Sequence, residues 1–154
     1  MAANIFIKLG TNGPAIKGES TARGHEGEVQ AQSLTWGYAQ TIAIGGAGSG
    51  AGAGKVEFQE LHFTKFVDST SPELYSMLAS GKHFDQVVVT MQRGNGVDFA
   101  TFTLGLVAVS SVEGSADGQG APIEDVGLVY GSALWQVKGQ GPTGWNRVTN
   151  RSVA

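Results

Sequence analysis

A ten-residue segment that contains only glycine, alanine and serine, residues 45–54, runs directly into a strand-like sequence. Immediately after it, Val56 and Phe58 alternate with polar residues, which is typical of a β-strand. Phosphate-binding loops open instead into the N-terminus of a helix, whose free backbone N–H groups bind the anion. The P-loop motif also requires a glycine where the chain has Ser49, and a serine or threonine where it has Val56. The segment therefore predicts a long loop in a β-protein and argues against a nucleotide site.

The composition limits both the class of protein and its partners. The chain has 154 residues, which fits a single domain spanning residues 1–154. It has no cysteine, which excludes disulfides, thiolate catalysis and cysteine-based metal sites. A net charge of −3 without a basic run predicts neither a nucleic-acid partner nor binding to an anionic membrane. The apolar run at Ile5, Phe6 and Ile7 is too short for a signal peptide or a membrane span.

Strand-like patterns cover most of the chain. They predict strands at residues 4–9, 29–44, 55–67, 84–92, 97–112 and 125–138, followed by a polar tail at residues 139–154. The apolar positions change from even to odd numbers near Gln59 and Glu60, as a β-bulge or a barrel corner would require. Phe102, Leu104 and Leu106 are expected to share one face. The predicted fold is mainly β, a small β-barrel of two packed antiparallel sheets.

One short helix is expected beside the sheets, from about Pro72 to Ser80. Ser71 is a candidate N-cap, Pro72 suits the first helical position, and Gly81 suits the residue after the helix. A helix of this length is unstable alone, so it has to dock on the sheet. Val87, Val88 and Val89 are apolar in succession, which predicts a strand covered on both sides. The helix is one candidate cover, and a neighbouring subunit is the other.

The polar residues do not assemble into a recognisable catalytic or metal-binding pattern. His25, His62 and His83 are not at metal-ligand spacing, and no G-x-S-x-G motif occurs. The carboxylate pairs Glu57 with Glu60, and Glu124 with Asp125, are interpreted as solvated faces or ends of strands. The sequence therefore predicts no enzyme activity and no catalytic, metal or cofactor-binding residues.

The glycine-rich segment is costly to order. Fixing the backbone costs about 1–2 kcal/mol per residue, so ordering this segment costs on the order of 10–20 kcal/mol. Its own small side chains cannot offset that cost. It is therefore expected either to stay mobile or to be ordered by main-chain contacts with a partner.

Taken in order, a set of short motifs resembles the Hcp (hemolysin-coregulated protein) family, which supplies the inner tube of bacterial type VI secretion systems. The resemblance rests on Phe6-Ile7-Lys8, Ile16-Lys17-Gly18-Glu19-Ser20, Gly24-His25, Trp36-Gly37, Gly52-Ala53-Gly54-Lys55-Val56, Phe63-Thr64-Lys65, Ser71-Pro72, Gly81-Lys82-His83, Ser110-Ser111-Val112, Gly144-Trp145-Asn146 and Asn150. These motifs span nearly the whole chain with family-like spacing.

The resemblance implies a homohexameric ring with a wide pore. Rings stack into a tube inside a contractile sheath, meet spike or tip proteins, and carry or chaperone small effectors in the lumen. It also implies synthesis in the bacterial cytoplasm and secretion to the outside or into a target cell without a cleaved signal peptide.

The resemblance assigns roles to particular residues as well. It places Thr35 at the lumen surface, where several relatives carry serine, and makes the glycine-rich segment a loop for ring stacking or subunit contact. That loop comprises Gly45, Gly46, Ala47, Gly48, Ser49, Gly50, Ala51, Gly52, Ala53 and Gly54. Val87, Val88, Val89 and Trp145 are further candidates for an interface. The alternative is a small β-barrel module that binds a carbohydrate or peptide through Trp36 and Trp135.

Overall fold

The computed structural model describes residues 3–43, 52–53 and 55–153. Strands and one helix follow each other along this part of the chain. They are β1 (Asn4–Leu9), β2 (Val29–Ala31), β3 (Ser33–Thr35), β4 (Tyr38–Ala39), β5 (Ile42–Ala43), β6 (Gly52–Ala53), β7 (Glu57–Phe58), β8 (Leu61–Phe66), α1 (Ser71–Ser80), β9 (His83–Gln92), β10 (Asp98–Ser115), β11 (Ile123–Val137), β12 (Thr143–Asn146) and β13 (Arg151–Val153).

Nine strands form one antiparallel sheet in the order β13-β12-β11-β10-β9-β1-β2, with β8 also paired to β11 and β3 paired to β8. Two short ribbons, β4-β7 and β5-β6, complete the strand pairing. The predicted class, mainly β with one flanking helix, is confirmed. The paired strands do not form a closed barrel. β2 pairs with β1 at one end of the order, β3 pairs with β8 on the branch from β11, and no strand pairing joins β2 to β3 in the described part of the chain. Between them Gln32 turns the chain, and its backbone N–H donates to the Thr64 carbonyl at 2.7 Å.

The core lies between the two halves of the curved sheet and the helix. Alternation in the strands supplies it, because every second side chain of a strand points to the same face. The largest fully buried apolar side chains are Phe6, Phe63, Phe84, Ile7, Leu9, Leu61, Leu74, Leu104 and Leu128.

The predicted change of phase near Gln59 and Glu60 is confirmed. The chain breaks there between β7 and β8, with Phe58 buried before the break and Leu61 and Phe63 after it. The residues predicted as one strand at 29–44 form β2, β3, β4 and β5 in the described part of that range.

The prediction that Leu106 shares the inward face of Phe102 and Leu104 is wrong. Leu106 adopts a φ of 52°, in the left-handed region, and its side chain is 55% exposed. Because of this backbone rotation, Val107 instead of Leu106 points into the core, where it is fully buried. Residue pairing continues through the same point, with Gly105 opposite Ser132 and Val107 opposite Tyr130. In β11 the residues that point into the core change from even to odd numbers opposite the same point of β10, with Tyr130 buried on one side and Ala133 on the other. The sheet bends there.

The helix begins one residue earlier than predicted. Thr70 rather than Ser71 is its N-cap, and Pro72 lies in the first turn. Gly81 ends it in the left-handed region with a φ of 71°, and its N–H donates to the Met77 carbonyl at 3.1 Å. Leu74 and Met77 are buried against the core, so the helix does dock on the sheet.

A buried ion pair fixes the start of the helix. The Lys65 ammonium is 1% exposed and lies 2.5 Å from Glu124 Oε1 and 3.0 Å from Asp68 Oδ1. Ser71 Oγ donates to the same Glu124 oxygen at 2.6 Å. The interpretation of Glu124 as a solvated carboxylate is therefore wrong, because an even residue of β11 points into the core here, while Asp125 points outward.

The segment from residue 139 onward, predicted as a polar tail, contains two strands. β12 pairs with β11, placing Trp145 opposite Ala133, and β13 pairs with β12. The sequence offered little sign of this, because Trp145 is the only large apolar side chain that β12 contributes.

Candidate functional site

The strands β3, β8, β11 and β10 present a polar face on the side away from the core. Directly opposite residues in antiparallel strands project to the same face, so the register identifies its members. One row runs through Thr35, His62, Gly127 and Ser111, and the next through Ser33, Thr64, Asp125 and Glu113. We call these residues, together with Ser110 and Glu60, the polar face.

Thr35 lies on this face with an exposed side chain, beside His62. Its neighbour two residues earlier, Ser33, shares a hydrogen bond of 2.6 Å with Thr64 across the strands. The surface around Thr35 is therefore lined with small hydroxyl-bearing side chains. A surface of this kind suits contact with water or with a polar partner.

His62 is the one aromatic ring among the residues of the polar face. Its Nδ1 lies 2.6 Å from Asp125 Oδ1, and a carboxylate can only accept, so Nδ1 carries the proton and donates. The two side chains are 36% and 40% exposed, so a partner on this face reaches both.

Gly127 makes room for the imidazole ring. A Cβ atom there would lie 2.5 Å from Ser111 Oγ and 2.9 Å from both His62 Cε1 and Ser110 Oγ. The ring and the two hydroxyls therefore crowd over one glycine. The sequence did not predict the pairing of His62 with Asp125, which was interpreted only as a solvated carboxylate. The alternation in β8 could have indicated His62, because His62 and Thr64 lie two residues apart and therefore point to the same face of the strand, opposite to Leu61 and Phe63.

The polar face carries negative charge. Asp125, Glu113 and Glu60 all project from it, and Ser110 Oγ donates a hydrogen bond to Glu60 Oε1. None of the members defined above is a lysine or arginine. Lys65, the basic residue of β8, points to the opposite side and is buried in its ion pair.

The predicted contact loop lies mostly outside the described residues. Gly45, Gly46, Ala47, Gly48, Ser49, Gly50, Ala51 and Gly54 fall there, whereas Gly52 and Ala53 form β6 and pair with Ala43 and Ile42 of β5. Ile42, at the base of this ribbon, is 52% exposed.

The other predicted interface residues lie in two places. Val87 and Val89 are fully buried in the core, so of the three valines only Val88 is partly exposed. Trp145 is partly buried and lines a groove of about 510 Å³ together with Tyr38, Phe58 and Trp135. We call this the aromatic groove. The indole Nε1 of Trp145 is buried and has no hydrogen-bond partner within residues 3–43, 52–53 and 55–153.

Trp36 and Trp135, proposed for the alternative binding module, both belong to an aromatic cluster. Trp36 packs edge-on against Phe102 at 4.8 Å, and Phe102 is paired with Trp135 across the strands. Trp135 Nε1 donates to the Tyr38 hydroxyl at 2.7 Å. This bond and the ring contact between them attach β4 to the main sheet, so Trp135 has a structural role.

His25 occupies a second polar cluster, away from the polar face. Its ring stacks on Phe6 at 4.5 Å, and its two nitrogens lie 3.0 Å from Glu28 Oε1 and 2.9 Å from Asp98 Oδ1. Burial disfavours the charged ring, but the hydrogen bonds that the ring donates to Asp98 and Glu28 outweigh burial and raise the pKa of His25. The cluster joins the loop before β2 to the start of β10.

In the described part of the chain, no three histidine or acidic side chains cluster closely enough to hold a metal ion. No helix within residues 3–43, 52–53 and 55–153 is both long enough and apolar enough to cross a membrane.

Comparison with known proteins places this architecture in a family. The family described as "Type VI secretion system effector, Hcp" matches residues 6–137. Protein hcp1 of Pseudomonas aeruginosa is 35% identical over 135 residues, which cover 84% of this chain and 80% of that protein.

Solved structures agree with this assignment. The crystal structure of Hcp1 from Salmonella typhimurium is 30% identical, with a TM-score of 0.84 over 99% of this chain and 100% of that one. A chain of the anti-feeding prophage baseplate, at 12% identity and a TM-score of 0.58 over 90% of this chain and 94% of that one, shares the fold. The chain therefore belongs to the Hcp family, the secreted tube proteins of type VI secretion systems.

Proposed function

We propose that six copies of this chain form a ring whose polar face lines a central lumen, and that rings stack into a tube within a contractile sheath. The tube carries small effectors, meets spike proteins at its tip and leaves the cell with its cargo. The chain acts by assembly and by contact with cargo, and it is not an enzyme.

The observation that carries this proposal is that the strands at the two sides of the polar face, β3 and the end of β10, are each hydrogen-bonded to a neighbouring strand on one side. Within the described residues β3 is bonded only to β8, and β10 beyond Ala108 is bonded only to β11. One subunit therefore offers two different strand edges beside one polar surface. Contacts between two different surfaces of identical subunits close into rings when the rotation closes. A polar surface also suits a water-filled lumen.

Two further features support contacts between subunits. The ribbon β5-β6 includes Gly52 and Ala53 of the glycine-rich segment and the exposed Ile42, so a neighbouring copy is available to contact the ribbon and cover the Ile42 side chain. The aromatic groove and Val88 are two further surfaces that a neighbouring copy could contact. The contact loop at residues 45–54 stays a prediction.

The assembly is tested by analytical ultracentrifugation with negative-stain imaging of the purified chain. We expect a hexamer and ring-shaped particles with a central hole. A strict monomer at high protein concentration, with no rings on the grid, would overturn the proposal.

The role of Thr35 is tested with Thr35→Gln. A longer side chain at this position projects into the lumen and hinders cargo, so a co-expressed small effector from the same bacterium should be retained less well in a pull-down. Thr21→Gln, which changes an exposed threonine in the loop before β2, is the matched control. Rings that retain the effector equally in both variants would remove the assignment of Thr35.

A further inference from the structure

We infer that the polar face selects cationic cargo, binding a segment rich in lysine and arginine through the carboxylates of Asp125, Glu113 and Glu60 and through His62. This inference rests on the proposed function, because it assigns the polar face to a lumen that holds cargo. It adds the chemical class of the partner.

The first argument is the charge of the face. Three carboxylates project from it, and the basic residue that its strands do contain, Lys65, is 1% exposed and neutralised by Glu124 and Asp68 on the core side. No lysine or arginine of the face therefore offsets the three carboxylates. In a ring the face of every copy surrounds the same lumen, so the negative potentials add and attract a cationic partner.

The second argument concerns which groups of the polar face donate hydrogen bonds and which accept them. Ionised carboxylates only accept, and Asp125 Oδ1 already accepts the hydrogen bond of His62 Nδ1. The hydroxyl of Ser110 already donates to Glu60. A partner therefore has to supply donors, as lysine ammonium and arginine guanidinium groups do without accepting in return.

The third argument is the way in which the ring of His62 is held. Asp125 binds one nitrogen, and the absence of a side chain at Gly127 gives the ring edge its position beside Ser110 and Ser111. The ring and the Asp125 carboxylate bound to it are therefore held in place before a partner arrives, which lowers the conformational cost of binding. Nucleic acid, whose phosphates would face the same carboxylates, is disfavoured on this surface.

The test uses full-length rings and a fluorescent decalysine peptide, with decaglutamate as the oppositely charged probe. Fluorescence anisotropy should show that decalysine binds, that decaglutamate does not, and that added salt weakens binding because exposed charges are screened. Glu113→Gln and Asp125→Asn, which keep the shape of each side chain, should each weaken decalysine binding about two- to fivefold. The triple variant that adds Glu60→Gln should lose about tenfold or more.

Glu73→Gln is the matched control, because it removes the same charge from an exposed position of α1 that is not part of the polar face. It should leave decalysine binding unchanged. An equal loss in Glu73→Gln and in Glu113→Gln would overturn the inference, because binding would then follow only the net charge of the protein.

Carbodiimide coupling locates the bound peptide, because this reagent joins a lysine amine to a carboxylate in direct contact. Mass spectrometry should find the peptide on Asp125, Glu113 or Glu60. Coupling confined to carboxylates elsewhere would overturn the inference. Ultracentrifugation of the same samples separates the two proposals: rings that do not prefer decalysine contradict only this inference, whereas the absence of rings overturns the proposed function and with it the lumen assigned to this face.

Discussion

Charged groups inside this protein are paired, and the pairs join segments that are distant in sequence. Lys65 of β8 is buried between Glu124 of β11 and Asp68 at the start of the helix. Burial disfavours ionisation of Asp68, but hydrogen bonds from Thr70 and Lys65 outweigh it and lower the pKa of Asp68. Such a pair adds little net free energy compared with apolar packing, but losing one partner is costly because the other charge stays buried.

Lys65→Met should therefore destabilise the protein strongly, because Glu124 would remain buried without its cation. We expect the free energy of unfolding, measured by urea denaturation at fixed protein concentration, to fall by about 3–5 kcal/mol. The double variant Lys65→Met/Glu124→Leu should recover part of this loss. Lys82→Met, at an exposed position, serves as the control. A loss no larger than that of the control would contradict the structural role of the pair.

His25 gives the stability a dependence on pH. Since its pKa is raised in the folded state, the stabilisation is fully present below the ordinary value of 6.5 and is lost as pH rises through the folded pKa. His25→Gln should cost about 1–3 kcal/mol near pH 6, where it removes two hydrogen bonds of a buried ring, and less near pH 8.5. Urea denaturation across this range measures the slope. A slope as steep in His25→Gln as in the unchanged protein would assign the pH dependence to another group.

At the scale of elements, the pairing of β12 with β11 depends on a close approach between the two strands at Gly144. A Cβ atom at Gly144 of β12 would lie 2.4 Å from the Ala133 carbonyl oxygen and 2.9 Å from the Leu134 Cα. Both neighbours are backbone of β11, which cannot move aside as a flexible side chain can. The glycine therefore permits β12 to pair with β11, and β13 follows because it pairs with β12.

Gly144→Ala should push β12 away from β11 and cost about 1–3 kcal/mol. Hydrogen exchange followed by mass spectrometry should show faster exchange in β12 and β13 than in β9. Gly141→Ala is the control, because a Cβ there meets no atom within 4 Å. Unchanged exchange in the Gly144 variant would mean that the strands tolerate the added methyl group.

At the scale of the whole molecule, the aromatic groove contains two indole groups that differ in their hydrogen bonding. Among the residues that the structure describes, none accepts a hydrogen bond from Trp145 Nε1, and an unpaired buried donor costs about 1–3 kcal/mol. In contrast, Trp135 Nε1 in the same groove is satisfied by Tyr38. The two tryptophans therefore differ in whether the described part of the subunit satisfies their indole N–H.

Trp145→Phe removes the unpaired donor and should leave the stability of the subunit nearly unchanged. If a neighbouring copy supplies the acceptor, the dissociation constant of the ring should rise about fivefold, because a net hydrogen bond is worth about 1 kcal/mol. Dilution series in the ultracentrifuge measure this constant. Trp135→Phe should show the reverse pattern, with a less stable subunit and an unchanged ring. Rings equally tight in both variants would exclude Trp145 from the interface.

The sequence by itself determined the local structure and the family. Alternation predicted the strands, Pro72 and Gly81 predicted the helix to within one residue, and the ordered motifs predicted membership of the Hcp family. These signals are local: they depend on backbone preferences and on side chains a few residues apart. The same locality explains the errors, because the inward phase of Leu106 assumed a strand that does not bend.

The tertiary structure alone decided which polar residues meet. Glu124 and Asp125 are adjacent, yet one is buried against Lys65 and the other is exposed beside His62, because the pleat sends neighbouring side chains to opposite faces. The pairing of His62 with Asp125 joins residues 63 positions apart. It depends on the register of β8 against β11, which is set by the packing of the whole sheet and not by either strand alone.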